Sequence, residues 1–343
     1  MSDTMKVKRD LSIRQEPGKK KAFFLSWEMI LVYVLVFLNI ALMVLESDIY
    51  FSYGTISFII RSGMVTSFMV LGMTLVLLLG EIDVSVASIM VLSCMVTGLV
   101  CQTGGSDFIA VICGILTGAL CGAFNGILIA RCGMSSVIVT IASSLLFRGI
   151  ADVVLDGQAL AQFPQWFSAL AWRDIGGVIP YSMICFLVVA ALFAVMLNKT
   201  TFGRKIYAIG NAEVTSRYSG IRVVRVKVAV YVIMGVMSAF SGILFAGRLG
   251  GITSGMGKGY ELQVIAIALL GGVSTNGGKG NIFGPVVATF IMTFLNKTLD
   301  LMGVHTNVQK IVMGIILLAV VSIPVIRQRR LARKRSAGGS VSK

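Results

Sequence analysis

The chain has 343 residues, 56% of them hydrophobic and 13% charged, with a mean hydropathy of +0.90 and a formal net charge of +15. Soluble domains carry roughly a quarter charged residues, so this composition excludes a soluble globular protein and points to one integral to a membrane. The excess positive charge does not point to nucleic acid. Seven of the thirty basic residues precede Phe23, seven lie within 198–227 and seven follow from Arg327, the asymmetry that holds basic loops in the cytoplasm, and no aromatic or helical nucleic-acid motif accompanies them.

From the N-terminus, a basic tail (1–24) leads into apolar runs at about 27–45, 56–79, 85–103, 108–130, 135–152 and 178–197. The tail is too long for the n-region of a cleavable signal peptide. After a polar elbow at 198–227, further runs follow at about 228–247, 261–276, 282–302 and 308–326, then a second basic tail (327–343). Runs of this length suit helices that cross a bilayer. The expected fold is all-α: a polytopic bundle of about ten spans (eight to ten) in one transmembrane domain, 25–326. Six spans before the elbow and four after it keep both termini and the elbow cytoplasmic. The eighth and ninth spans flank a glycine cluster and are the ones open to a short or re-entrant form.

The second span ends in GEIDVS, where Glu81 and Asp83 read as hydrated carboxylates of an interfacial turn. In the fourth span Gly114, Gly118, Gly122 and Gly126 recur every four residues, which lines one helix face with hydrogen atoms and lets a neighbour approach closely. Ser238, Gly242 and Ala246 repeat the device in the seventh span. Arg148, near the outer end of the fifth span, either pairs with Asp152 or snorkels to the interface. The external segment 152–180 carries Pro164, Trp166 and Trp172, and a short helix around Gln165–Trp172 is expected there, as a landing site for an external partner or as a membrane-lying anchor.

The elbow has helix-end chemistry. Asn211 reads as an N-cap, Glu213 stands in a first turn, Arg217 in a last turn four residues on, and Gly220 suits the C′ position. A short helix over Ala212–Ser219 follows, with Val214 and Tyr218 on one face, and it reads as a docking element. The glycine-rich stretch 271–280 is not a nucleotide loop, because Val273 stands where a P-loop needs glycine and Gly280 follows Lys279. The six cysteines have no metal-ligand spacing and His305 is isolated, so neither a metal site nor a nucleophilic centre is expected.

Several stretches in register resemble the membrane permease subunits of bacterial ATP-binding-cassette importers for pentoses and related sugars, the ribose-permease group. They are GEIDVSVAS (80–88), FGRKIYAIGN (202–211), SRYSGIRVVRVK (216–227), GYELQ (259–263), LGGVS (270–274) and GGKGN (277–281). The match covers nearly the whole chain after the N-terminal tail. Glu81 replaces the second glycine of that group's GGID, and Ala87 a later one. The resemblance implies a multi-pass protein of the bacterial inner membrane that passes a monosaccharide. Its partners would be a cytoplasmic ATP-binding subunit, an extracytoplasmic sugar-binding protein and a second permease, identical or not. ATP and magnesium would sit on the partner ATPase, with no cofactor on this chain. Gly203, Arg204, Tyr207, Gly210, Asn211, Glu213, Arg217 and Gly220 would then carry ATPase coupling. Asp83, Asn125 and Gln263, polar groups near or within otherwise apolar spans, are the candidates for the solute pathway. The competing class, a secondary facilitator or ion-coupled carrier, calls for an intramembrane acidic or histidine relay.

Overall fold

The computed structural model describes residues 27–45, 53–161, 163–176, 179–305, 307–316, 318 and 322. Both basic tails and most of the last half of the run at 308–326 lie outside these. The first half of the chain forms α1 (Trp27–Leu45), α2 (Tyr53–Leu78), α3 (Val86–Gln102), α4 (Asp107–Ala130) and α5 (Ser136–Leu155). The segment expected to be external forms α6 (Gln165–Trp172) and a two-stranded antiparallel hairpin, β1 (Asp174–Ile175) and β2 (Ile179–Pro180), paired Asp174 to Pro180 and Ile175 to Ile179. This hairpin is a small addition to the expected all-α fold. Then come α7 (Tyr181–Lys199), α8 (Thr201–Asn211), α9 (Glu213–Tyr218), α10 (Val223–Leu249), α11 (Tyr260–Leu270), α12 (Phe283–Leu301) and α13 (Asn307–Ile316).

Helices α2, α4, α5, α7 and α10 are long and apolar enough to cross a membrane; α3, α11 and α13 are shorter apolar helices. The core runs along α2, α3 and α10, where Met69, Leu71, Leu75, Ile89, Val230 and Met234 are fully enclosed. Helices α4, α5 and α7 turn apolar stripes outward, among them Leu116, Leu120, Leu145, Val153, Val188 and Leu192. Exposed leucine and valine on a membrane helix face need no cover beyond lipid.

The glycine stripe of α4 faces inward. A Cβ on Gly118 would lie 2.4 Å from the carbonyl oxygen of Gly235, and one on Gly122 would lie 2.2 Å from that of Tyr231. Backbone therefore rests on backbone between α4 and α10. Gly114 faces α3 at Thr97, and Gly126 faces Val228. On α10, Gly242 faces the backbone of Met90 on α3.

Helix α11 has 11 residues, about 16 Å of rise and half of a ~30 Å hydrocarbon core. The run expected to span at 261–276 is thus a half-helix, because Gly271 ends it and the glycine-rich segment that follows folds against α2 and α8. Non-helical backbone at this depth is tolerated only inside protein, and Val264–Leu269 are accordingly buried.

Helix α6 falls at the expected Gln165–Trp172 and packs down on the bundle. Phe167 is fully buried with its carbonyl against Gly247, while Trp166 donates from Nε1 to Asp107 (3.1 Å). Arg61 of α2 pairs with Asp174 and lies over the Trp172 ring, and Ser57 donates to the same carboxylate (3.0 Å). Arg148 does not make the pair with Asp152 that was one of its two expected fates. Its guanidinium donates to the carbonyls of Ser254 and Met256, holding the segment that precedes α11.

Candidate functional site

The elbow contains two helices where the sequence reading expects one. Thr200 caps α8 by accepting from the Gly203 amide (3.3 Å), and Phe202, Ile206 and Ile209 turn inward from it. Gly210 rests on the inner end of α2: a Cβ there would lie 1.9 Å from the Leu78 carbonyl oxygen, which already accepts from the Gly278 amide (2.9 Å). Gly203 sits similarly against Leu197. The Tyr207 hydroxyl donates to the Gly280 carbonyl (2.8 Å), and partial burial pushes its phenol pKa up, so it stays a donor. Asn211 is the last residue of α8 rather than the N-cap of the next helix. Its amide donates back to the Tyr207 carbonyl (2.8 Å) and to Gly278 (3.4 Å), because extended Ala212 takes the cap position. Arg204 is exposed.

Helix α9 is correspondingly shorter than Ala212–Ser219, running Glu213–Tyr218. Its end is a Schellman motif: the Gly220 amide donates to Arg217, the Ile221 amide to Ser216, and Gly220 has φ +82°. Arg217 reaches Glu213 one turn back (3.3 Å). Val214 and Tyr218 are 68% and 89% exposed on this short, fixed helix. Two large apolar side chains held in the open at a loop tip are an unusual expense for a soluble surface and suit a partner.

A further link was not legible locally. Lys227, in the first turns of α10, donates to Glu213 (2.8 Å) and to Glu81 (2.6 Å), and its ammonium is nearly enclosed. Glu81 and Asp83 are 8% and 0% exposed, so the expected hydrated turn is instead buried protein. Asp83 accepts from the amide and hydroxyl of Ser85 (2.8 and 2.6 Å) at the start of α3, and Asn125 of α4 donates to that hydroxyl (2.8 Å). Asn125 lies five residues from the end of α4, so α3 begins roughly 7 Å inside the bundle. Asp83 Oδ2 and Asn125 Oδ1 have no protein partner. Two of the three expected pathway residues thus meet at one polar nest next to the elbow.

Gln263 is not with them. It lies on α11 in a cavity of about 620 Å³ whose wall includes Arg248, near the far end of α10. Lys227 and Arg248 are separated by 21 positions of one helix, about 30 Å.

A long apolar bundle with a projecting, capped elbow fits a membrane transport component. Residues 55–321 match the family model of the branched-chain amino acid transport system / permease component, and the chain belongs to that family. The ribose import permease protein RbsC of Escherichia coli strain K12 is 33% identical over 289 residues, 83% of this chain and 89% of that one. The D-allose transport system permease protein AlsC of the same strain is 32% identical over 315 residues (91% and 96%). Its L-arabinose transport system permease protein AraH is 33% identical over 323 residues (91% and 95%). No solved structure matches the chain.

Proposed function

We propose that this chain is the permease subunit of an ATP-binding-cassette importer for a sugar, a multi-pass protein of the bacterial inner membrane with about ten spans and cytoplasmic termini. The relatives named for ribose, allose and arabinose support the substrate class. The observation that carries the reading is the elbow. Helix α9 presents Val214 and Tyr218 outward, while Lys227 and the α8 contacts bind its base to the inner ends of α2 and α10. A cytoplasmic ATP-binding subunit, carrying ATP and magnesium, seats on that face. A sugar-binding protein delivers solute from outside, and a second permease completes the pathway. Gly203, Tyr207, Gly210 and Asn211 position α8; Glu213, Arg217 and Gly220 shape α9; Arg204 is free to meet the partner.

The test is sugar uptake in proteoliposomes holding this chain, its ATPase and its binding protein. Uptake that stops without ATP hydrolysis supports the importer. Uptake that persists without it is the behaviour of a secondary carrier and overturns the reading.

A further inference from the structure

The cavity of about 620 Å³ lies between α2, α11, α12 and α13, and its chemistry is unlike the lipid-facing surfaces. Ser62, ten positions into α2, is about 14 Å below that helix's outer end, yet the wall here is polar. Gln263 of α11 and Asn296 of α12 face in, and neither amide has a partner among the described residues. Lipid does not satisfy such groups, so the space is filled by water or by a polar ligand. A cavity of this volume lies within the usual range for small-molecule sites.

Its charge is more specific. Both oxygens of Asp300 are taken, by Lys297 and by the Gln309 amide (2.6 Å). Arg248 donates to the Ser62 carbonyl (3.1 Å) and has no carboxylate partner among the described residues; nor have Lys258 or Lys310. The wall thus holds Arg248, Lys258, Lys297 and Lys310 against a single carboxylate, Asp300. Lys258 and Lys310 are exposed at this wall and Asp300 offsets one charge through Lys297, so the wall keeps a net excess of positive charge around Arg248. Such an excess in a concave site favours an anion, and guanidinium matches carboxylate and phosphate oxygens in pairs.

We propose that this cavity is a binding chamber for an anionic sugar, a polyol bearing a carboxylate or a phosphate, which Gln263 and Asn296 hold by its hydroxyls and Arg248 by its charged group. The proposal rests on the permease reading and narrows its substrate class beyond the neutral sugars for which the relatives are named.

The experiment is isothermal titration calorimetry on the full-length chain in lipid nanodiscs, with D-ribose, D-gluconate, D-ribose 5-phosphate and inorganic phosphate as probes. One of the two anionic sugars is expected to bind at least tenfold more tightly than D-ribose and than inorganic phosphate; which one it is distinguishes carboxylate from phosphate. Arg248→Gln should remove that preference. Because Arg248 also braces Ser62, Asn296→Leu serves as a second variant, expected to weaken the anionic sugar at least fivefold with the fold unchanged by thermal denaturation. Equal binding of ribose and the anionic sugars overturns the proposal. So does inorganic phosphate binding as well as ribose 5-phosphate, or a preference that survives both substitutions, or no binding at all. In proteoliposomes with the ATPase, ATP-dependent uptake of neutral ribose with no uptake of either anionic sugar sinks the chamber and leaves the importer reading intact. ATP-independent uptake sinks the importer reading, and calorimetry alone then decides the chamber.

Discussion

Replacing Lys227 by Met tests the link between elbow and bundle most directly. In the native chain one ammonium serves two carboxylates, Glu81 at 2.6 Å and Glu213 at 2.8 Å, and one of Glu81's oxygens already lacks a hydrogen bond. Lys227→Met therefore leaves a nearly buried carboxylate with no counter-charge and sets two acids near each other. Breaking a buried pair from one side costs about 3–5 kcal/mol. For a chain of this size that is a fall in melting temperature of roughly 4–7 °C. Glu81→Gln should cost less, about 1–2 kcal/mol, since Lys227 keeps Glu213 and an amide still accepts a hydrogen bond. Glu213→Gln should cost less again, below about 1 kcal/mol, because that carboxylate is 40% exposed and water screens its pairing. The double variant Lys227→Met with Glu81→Gln should recover at least half of the loss, because no unpaired charge is then buried. Thermal denaturation of the detergent-solubilised protein reads all four. If Lys227→Met is no worse than Glu213→Gln, or if the double variant is no better than Lys227→Met alone, the buried three-residue link does not exist as described.

Tyr218→Ala should leave the melting temperature within about 1 °C, since the ring is almost wholly exposed, while sugar-stimulated ATP hydrolysis by the partner falls severalfold; unchanged stimulation would contradict docking through α9. Gly118→Ala should destabilise by about 1–3 kcal/mol or more, its Cβ meeting the Gly235 carbonyl, whereas Gly149→Ala on α5, with open space around it, should gain a few tenths to about 1 kcal/mol. The two melting curves moving in the same direction would contradict the close packing of α4 on α10. Asp174→Asn should free the external hairpin from Arg61 and make 157–180 several times more sensitive to limited proteolysis from outside, with the bundle core unaffected; equal cleavage rates would show that the hairpin is held by other contacts.

What was legible in the sequence was local. Apolar runs place the long helices because length and hydropathy are enough to define them, and the glycine stripe of α4 is visible because its period matches the helix turn. Helix ends were legible where a residue has one geometric role, as with Gly220, whose positive φ closes the Schellman turn. Asn211 misled because its amide serves a helix C-terminus as readily as an N-terminus, donating here to the Tyr207 carbonyl. Helix α8 itself had a readable signal, the spacing of Phe202, Ile206 and Ile209, which the surrounding charge obscured. The burial of Glu81 and Asp83 was not readable at all. It depends on Lys227 and on Asn125, residues distant in the chain that only folding brings near, and hydration is the correct expectation for a carboxylate whose partner is unseen. Gln263, Asp83 and Asn125 are alike in the sequence, all three polar near or within apolar runs, and polarity carries no information about which end of the bundle each occupies.

That separation bears on how the two ends communicate. The elbow and the cavity lie about 30 Å apart along α10, too far for any direct contact between them. Two helices reach both: α10, through Lys227 and Arg248, and α2, through the Leu78 carbonyl and Ser62. They are also the most enclosed long helices, and Arg248 joins them at the outer end through the Ser62 carbonyl. Helices packed this closely resist bending, because most of their side chains are already in close-packed contact. If an ATPase docks on α9 as proposed, a displacement of that helix would reach the start of α10 through Glu213 and Lys227 and would arrive at Arg248 as a shift of the cavity wall. Loss of Lys227 should on this account uncouple ATP hydrolysis from uptake while the cavity still binds ligand in calorimetry. A neutral pair that restores stability without charge, Lys227→Met with Glu81→Gln, separates the mechanical role from the structural one: if that double variant transports at the native rate, the packed helices suffice and the ionic link serves stability alone.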